Sequence, residues 1–372
     1  MKTNNVMGVI FANVHDDLVS GLTAVRSMAS IPFGGRYRLV DFPLSNLVNA
    51  GISKVGIIPK YNYHSLMDHL GAGKPWDLDR KSGGLYILPP YLTSDVNLHS
   101  GHIDSLDGIK NYLSHAKEKY IILCDADVVG NIDLKKMLNS HFENKADITI
   151  AYKNGELPKS HRDIMTFETE ENGRITDIKV PEEPGSICDF SLDVVIMERL
   201  LLMQLVAQAK EKNLKHLWQD VILPGVNDYK IYGYNVPECA WVIDSPESYA
   251  KANFALLDPE IRANVFDKER PIYTKIRDDV PTKYGLDSEV KNSLIADGCV
   301  IKGKVKNCVL FRGVKVGENT VLENCIVMQD TEIGNNVRMK NVIADKNVVV
   351  GENQELCGAS THYMYIRKSS TV

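Results

Sequence analysis

Two rhythms of apolar residues divide this chain. Up to about residue 257, short apolar runs alternate with stretches of helical spacing. Met7 to Ala12 (MGVIFA), Lys54 to Pro59 (KVGIIP), Tyr120 to Cys124 (YIILC), Asp147 to Tyr152 (DITIAY) and Phe190 to Met197 read as strands, and runs this continuous suit strands buried on both faces. Leu44 to Ala50, stopped by Gly51, together with Ile132 to Asn144 and Glu198 to Lys212, reads as helix. Ile164 to Glu168 and Arg174 to Lys179, joined through Glu171-Asn172-Gly173, form a predicted antiparallel hairpin. Ser245-Pro246-Glu247 supplies a capping hydroxyl, a first-turn proline and an acid at the positive end of the helix dipole, so a helix is expected over Pro246 to Leu257. Strand and helix alternating at this pitch predict a doubly wound, mostly parallel α/β sheet in residues 1–257.

Asp258 to about Lys291 breaks both rhythms, with Pro259, Pro271 and Pro281 among many charges, and reads as a linker. After Pro281 there is no proline, and apolar pairs recur at a spacing of about six. Val314/Val316, Ile326/Met328, Val337/Met339, Val342/Ala344 and Val348/Val350 line up, with Gly317-Glu318-Asn319, Gly334-Asn335-Asn336 and Gly351-Glu352-Asn353 as turns. Hexapeptide periodicity predicts a β-helix over residues 292–372, each coil unable to bury its apolar face until a neighbour stacks on it. Slips of one residue near Ile333 and Ala344 interrupt the spacing, and an irregular β-sandwich is the competing reading.

Composition narrows the function. The chain has 372 residues, an apolar share of 44% and a net charge of -5 with both signs interspersed, so it offers no basic field for nucleic acid and no polybasic stretch for a membrane. Any phosphorylated ligand must be held by local charge. Cys124, Cys188, Cys239, Cys299, Cys308, Cys325 and Cys357 are scattered without C-x-x-C spacing, which fits reduced thiols better than disulfides or zinc. Cys299, Cys308 and Cys325 are expected inside the coils as small apolar residues. No apolar run reaches membrane-spanning length, and the expectation is a soluble cytoplasmic protein.

The chemistry turns on Pro32-Phe33-Gly34-Gly35-Arg36-Tyr37-Arg38-Leu39-Val40-Asp41-Phe42-Pro43-Leu44-Ser45-Asn46. This block resembles the sugar-nucleotide pyrophosphorylases, and most closely the bacterial glucose-1-phosphate adenylyltransferases. Gly71-Ala72-Gly73-Lys74-Pro75-Trp76-Asp77-Leu78-Asp79-Arg80, Gly83-Gly84 and Ile87-Leu88-Pro89-Pro90-Tyr91 resemble the same family. Gly101-His102-Ile103-Asp104-Ser105 falls where the family has Gly-Thr-Ala-Asp-Ala near the nucleotide, and Asn292-Ser293-Leu294-Ile295 and Val309-Leu310-Phe311 match the opening of its C-terminal repeats. The resemblance covers nearly the whole chain. It implies a Rossmann-like nucleotidyltransferase domain followed by a left-handed β-helix.

The departures from the family carry the functional expectation. The family has a phosphate-binding turn, Gly-Gly-x-Gly-x-Arg, just before the opening block, and here that turn reads Ala12-Asn13-Val14-His15-Asp16-Asp17. Such a turn lets backbone N–H groups close on a triphosphate, which side chains at those positions obstruct and Asp16 and Asp17 oppose by charge. The family's loop arginine falls at Asp17 and the lysine of its Lys-Pro pair at about Met28, so two cations that would stabilise the transferring phosphoryl group are missing. Of the two aspartates that hold Mg2+ in the family, one matches Asp127 and the other aligns with Val242; Asp244 could replace it only by a shift of two residues. Where the family has Glu-Lys-Pro for the sugar phosphate, this chain has Pro181-Glu182-Glu183-Pro184. The resemblance therefore implies no catalytic residue beyond a vestigial Asp127, and neither cofactor nor metal in this chain, with Mg2+ left to a catalytic partner.

Basic residues that bind phosphorylated effectors in the family match Arg26 and Arg38 here, with Arg312, Lys315 and Arg338 contributed by the repeats. Arg36 and Arg38 could instead pair with Asp41 or surface acids. His64 and His69, five apart, read as helix-surface histidines rather than a metal pair; His15-Asp16-Asp17 as a solvated loop, with a cation site as the alternative; Trp76 and Trp218 as packing residues, with Trp76 at the border of a ligand cleft as the alternative. The expected protein is a regulatory subunit of a bacterial glucose-1-phosphate adenylyltransferase, assembled with an active homologue as a heterotetramer in glycogen synthesis. The alternative is an active sugar-phosphate nucleotidyltransferase using Asp127 and Asp244. A hexapeptide acyltransferase is disfavoured, because the repeats lack a catalytic histidine.

Overall fold

The computed structural model describes residues 5–89, 101–158, 164–179, 185–359 and 361–372. Strands β1 (Val6–Phe11), β2 (Lys54–Ile58), β3 (Gly84–Ile87) and β4 (Tyr120–Asp125) run parallel in the spatial order β4-β1-β2-β3. Val6 and Ile10 of β1 enter one core, and Met7, Val9 and Phe11 enter the other. That two-sided burial is why the run has no polar position. Gly8 is needed for close packing: a Cβ there would meet Leu47 Cδ1 of helix α1 (Asp41–Asn49) at 2.6 Å.

The other half of the sheet is not parallel. After β5 (Val128–Gly130) and β6 (Ile148–Glu156), the chain makes the expected hairpin, β7 (Thr166–Thr169) with β8 (Ile175–Lys179), at the sheet edge. It must then come back, so β9 (Ile187–Glu198) lies antiparallel between β4 and β6. Strand β10 (Ile231–Asn235) adds parallel to β6, and β11 (Ala240–Val242) pairs antiparallel with β5. The apolar runs place β6, β9 and the hairpin correctly, but they miss β5, β10 and β11 and carry no signal for direction.

Helices α2 (Leu134–Glu143), α3 (Arg199–Glu211) and α4 (Pro246–Ala255) fall where the spacing predicts. Ser245 caps α4 and Ser248 reciprocates. Within the segment expected as a linker lies another helix, α5 (Pro259–Val265), whose cap Asp258 accepts from the N–H groups of Glu260 and Ile261. Asp258-Pro259-Glu260 is the same start signal as Ser245-Pro246-Glu247, so this helix was readable. The same segment also holds the first strands of the repeats, Lys283–Tyr284 and Glu289–Lys291.

The repeats form a β-helix of three parallel sheets with five strands each. Its coil length explains the irregular rhythm. Asn307, Asn324 and Asn341 sit 17 residues apart, each Nδ2 donating to the next Asn Oδ1 at 3.3 Å, and Asn319, Asn336 and Asn353 form a second such ladder. A 17-residue coil is one short of three six-residue turns, so the six-residue register must slip once per coil. All of these asparagines have positive φ, between 53° and 60°, a conformation asparagine tolerates better than most residues. Cys299, Cys308 and Cys325 lie in the coil interior, as expected.

A third apolar cluster joins the two parts: Leu22, Phe33, Phe42 and Tyr249 pack with Val309, Phe311, Ile326 and Ile343 of the β-helix. Inside this seam Arg26, only 2% exposed, donates Nη2 to Asp345 Oδ1 at 2.7 Å. Asp345 also accepts from the Lys346 N–H and the Tyr365 hydroxyl, both at 2.6 Å. No helix among the described residues is long and apolar enough to cross a membrane. Arg26→Ala leaves a buried carboxylate uncompensated and is expected to cost about 3–5 kcal/mol in chemical denaturation. Arg26→Met combined with Asp345→Leu is expected to cost less than the single change, since neither charge is stranded.

Candidate functional site

The turn after β1 folds into a knot of its own side chains. Asn13 Oδ1 accepts the Lys60 N–H at 3.1 Å and its Nδ2 donates to Asp16 Oδ2 at 2.5 Å. Asp16 Oδ1 accepts the Met28 N–H at 2.7 Å, and Thr23 Oγ1 donates to the Asp16 carbonyl at 2.6 Å. Asp16 is buried, and burial raises its pKa to about 6 against the hydrogen bonds from Asn13 and Met28. Asp16 therefore organises the turn from inside, contrary to the expectation that it faces the phosphates, while Asp17 is exposed. Met28, at the family's lysine position, is buried in the seam.

What fills the cleft is His15, contrary to the expectation of a solvated loop. Its Nδ1 lies 2.7 Å from Asp127 Oδ2 and 3.6 Å from Asp125 Oδ2. Burial opposes a charge on the ring, but the carboxylates of Asp127, Asp125 and Asp193 outweigh it and raise the pKa to about 10. Behind it, His102 Nε2 lies 3.0 Å from Asp125 Oδ2, with its ring edge-on to Phe11 and Trp218 at centroid distances of 4.8 and 5.2 Å. The residual crevice, lined by Ala12, Val14, His15, Met28, Asp125 and Asp127, has essentially no room left even for a water molecule. The imidazolium offsets part of the carboxylate charge where a nucleotide and its metal would otherwise meet.

The Mg2+ implied by the family resemblance requires Asp127 and Asp244 to converge. Strands β5 and β11 do bring their backbones together, the Ile243 N–H donating to the Asp127 carbonyl at 2.9 Å. Among the described residues, the group of three donors that comes together is His15, Asp125 and Asp127, and Asp244 Oδ1 accepts from Ser245 Oγ at 3.1 Å. A set with an imidazole nitrogen suits a hard, oxygen-seeking Mg2+ poorly, so these residues do not fit the family's metal. The Pro181 to Pro184 segment lies outside the described residues.

A second site opens between the α/β lobe and the β-helix. Gly34 and Gly35, with φ of 57° and 86°, turn the chain between Pro32–Phe33 and Tyr37–Arg38 so that Arg36 and Arg38 face the repeats. A cavity of about 220 Å³ there is lined by Arg36, Arg38, Lys275, Arg277, Arg312 and Lys346, with Asp68 and His69 at its wall. Of the expected effector residues the pocket collects Arg38 and Arg312. Arg26 is committed to Asp345, Lys315 is exposed and paired with Glu332 at 2.7 Å, and Arg338 is exposed on another face. Arg36 pairs with Asp297 at 3.1 Å across open solvent, a weak bond. Arg38 donates to Ser65, and burial lowers its pKa to about 10. His69 is buried rather than on the helix surface, 2.6 Å from Asp41. Burial, then repulsion from Arg38 and Arg26, brings Lys346 down to about 7, Asp345 offsetting only part.

Sequence reading missed Lys275, Arg277 and Lys346, whose charges look scattered until the coils stack. It also missed Asp125 and His102 as partners. Asp125 ends β4 and Asp127 lies in the turn that follows, which brings both carboxylates within reach of His15.

Comparison with known proteins places this geometry. Residues 18–186 match the nucleotidyl transferase family, beginning just past the altered turn, and residues 279–361 match the GlmU-like C-terminal hexapeptide family. Fold and site thus define a nucleotidyltransferase-type domain carrying a hexapeptide β-helix. The chain is 38% identical to glycogen biosynthesis protein GlgD of Bacillus subtilis (strain 168), over 87% of this chain and 84% of that protein. It is 37% identical to GlgD of Geobacillus stearothermophilus, over 86% and 83%, and 33% identical to the glucose-1-phosphate adenylyltransferase of Thermosipho melanesiensis, over 86% and 78%. The chain belongs to the bacterial glucose-1-phosphate adenylyltransferase family, on its GlgD-type branch.

Lys346 gives the basic pocket a pH signature. A lysine titrating near 7 is a cation below that value and neutral above it, so its attraction for an anion is lost as pH rises. Sulfate, which does not titrate in this range, is expected to bind several-fold more weakly at about pH 8 than at about pH 6 by calorimetry. Lys346→Met should flatten that dependence.

Proposed function

We propose that this chain is a non-catalytic regulatory subunit of glucose-1-phosphate adenylyltransferase in cytoplasmic glycogen synthesis, acting on an active homologous subunit within a heterotetramer. The observation that carries this reading is the His15 imidazole seated against Asp127 and Asp125. A triphosphate cannot take up backbone N–H groups at a turn whose side chains already bond to one another, and an imidazolium occupies the carboxylates that a nucleotide-bound Mg2+ would need. Asp17 and Met28, where the family has cations, leave the transferring phosphoryl group without charge stabilisation. Each such transition-state contact is worth about 3–4 kcal/mol.

Regulation needs no chemistry in this chain. A subunit that binds an effector more tightly in one state of an assembly shifts the whole assembly towards that state, with coupling of about 1–3 kcal/mol. The basic pocket suits this task, because its cations come from the α/β lobe, the connecting segment and the β-helix. A phosphorylated small molecule bound there would hold the three together.

The test is ADP-glucose formation from ATP and glucose 1-phosphate by this chain alone, by the active homologue alone and by the two mixed. The chain alone is expected to turn over at least about 10⁴-fold more slowly than the homologue, two lost contacts at about 10²-fold each. The mixture should differ from the homologue in rate or in its response to a phosphorylated effector. Turnover by this chain alone that disappears in Asp127→Asn would overturn the proposal in favour of an active enzyme.

A further inference from the structure

The side chains that close the cleft are also a donor set. His15 from the loop after β1, Asp125 at the end of β4 and Asp127 two residues on each present an atom within 4.8 Å of the others. All three are more than nine-tenths buried. Ligands on a tetrahedral ion with bonds of about 2.1 Å stand roughly 3.4 Å apart. His15 Nδ1 and Asp125 Oδ2 are already at 3.6 Å, and His15 Nδ1 and Asp127 Oδ2 at 2.7 Å need to part only slightly.

Two further observations point to a cation. His102 Nε2 holds Asp125 Oδ2 at 3.0 Å from outside the set, the arrangement by which an outer imidazole orients a ligating carboxylate, and Phe11 and Trp218 fix its ring. The charge of the three donors counted by themselves also suits a cation: two carboxylates with one imidazolium sum to about -1, whereas two carboxylates with a neutral imidazole and a divalent ion sum to about zero.

We propose that His15, Asp125 and Asp127 bind a divalent transition-metal ion of the zinc, cobalt or manganese type, without nucleotide. Nitrogen and carboxylate donors together select such ions over Mg2+. His15 enters as neutral imidazole, its Nδ1 proton passing to solvent as the ion arrives. The ion ties the altered turn to the end of β4 and replaces the hydrogen-bonded plug with a coordinated one. This site does not depend on the regulatory reading, since an active or an inactive chain could hold it.

The full chain, freed of metal with a chelator, is titrated with Co2+ and followed by its visible ligand-field absorption. One equivalent is expected to bind saturably, to be displaced by Zn2+ and to be unaffected by a large excess of Mg2+. His15→Gln should weaken Co2+ binding at least about 100-fold, and His102→Gln about 10–100-fold, with Asp244→Asn unchanged. Absence of saturable binding by the wild-type chain overturns the proposal whether or not the variants fold. So does binding that survives in a folded His15→Gln chain, which would place the ion on exposed histidines.

Discussion

An imidazole held between two buried aspartates decides what this cleft can do. Neither side of that contact is stable alone. Burial would strip His15 of its charge, and two carboxylates at the end of β4 would repel one another without a counter-ion. Together they satisfy each other, and the pKa of His15 rises to about 10. Its contribution to stability is therefore complete below its ordinary value near 6.5 and is lost as pH climbs through about 10. The positive charge that faces these carboxylates is thus supplied by the chain's own imidazole.

The rest of the molecule holds that contact in place and puts a second charged site at a distance from it. Asn13, Asp16 and Thr23 bind the turn to itself, so His15 has one direction in which to point. The seam beneath, with Arg26 locked on Asp345, joins the turn's lobe to the β-helix. Next to that ion pair, Lys346 faces a pocket of arginines, and burial, then repulsion from Arg38 and Arg26, brings its pKa down to about 7. One of these two basic neighbours is spent on structure and the other is left poised for an anion. Their separation follows from burial: Arg26 is enclosed with its acid, and Lys346 has a cavity to face.

Much of the fold was legible. Continuous apolar runs marked β1, β2, β4, β6 and β9, though not β3 or β10; Ser245-Pro246-Glu247 marked a helix start, and the apolar pairs marked a β-helix. Direction was not legible, because β9 looks the same whether it runs parallel or antiparallel to β4. The coil length hid behind six-residue counting, although the asparagines 17 apart recorded it. At the site, the altered turn was plain in the sequence, but its mechanism was misassigned. Asp16 was read as a repelling surface charge and is an interior acceptor, while His15, read as loop, fills the cleft. Side-chain direction in a short turn depends on contacts from Met28, Lys60 and Asp127, which only the folded chain brings near.

The claim that most needs testing is the state of one ring. In a metal-free chain labelled with ¹³C and ¹⁵N at histidine, the imidazole signals of His15, assigned by comparison with His15→Gln, report its protonation directly. The account predicts that His15 stays protonated beyond about pH 8 and that its signals do not move when ATP and Mg2+ are added. A ring that titrates near its ordinary value, or that is displaced by nucleotide, would contradict it.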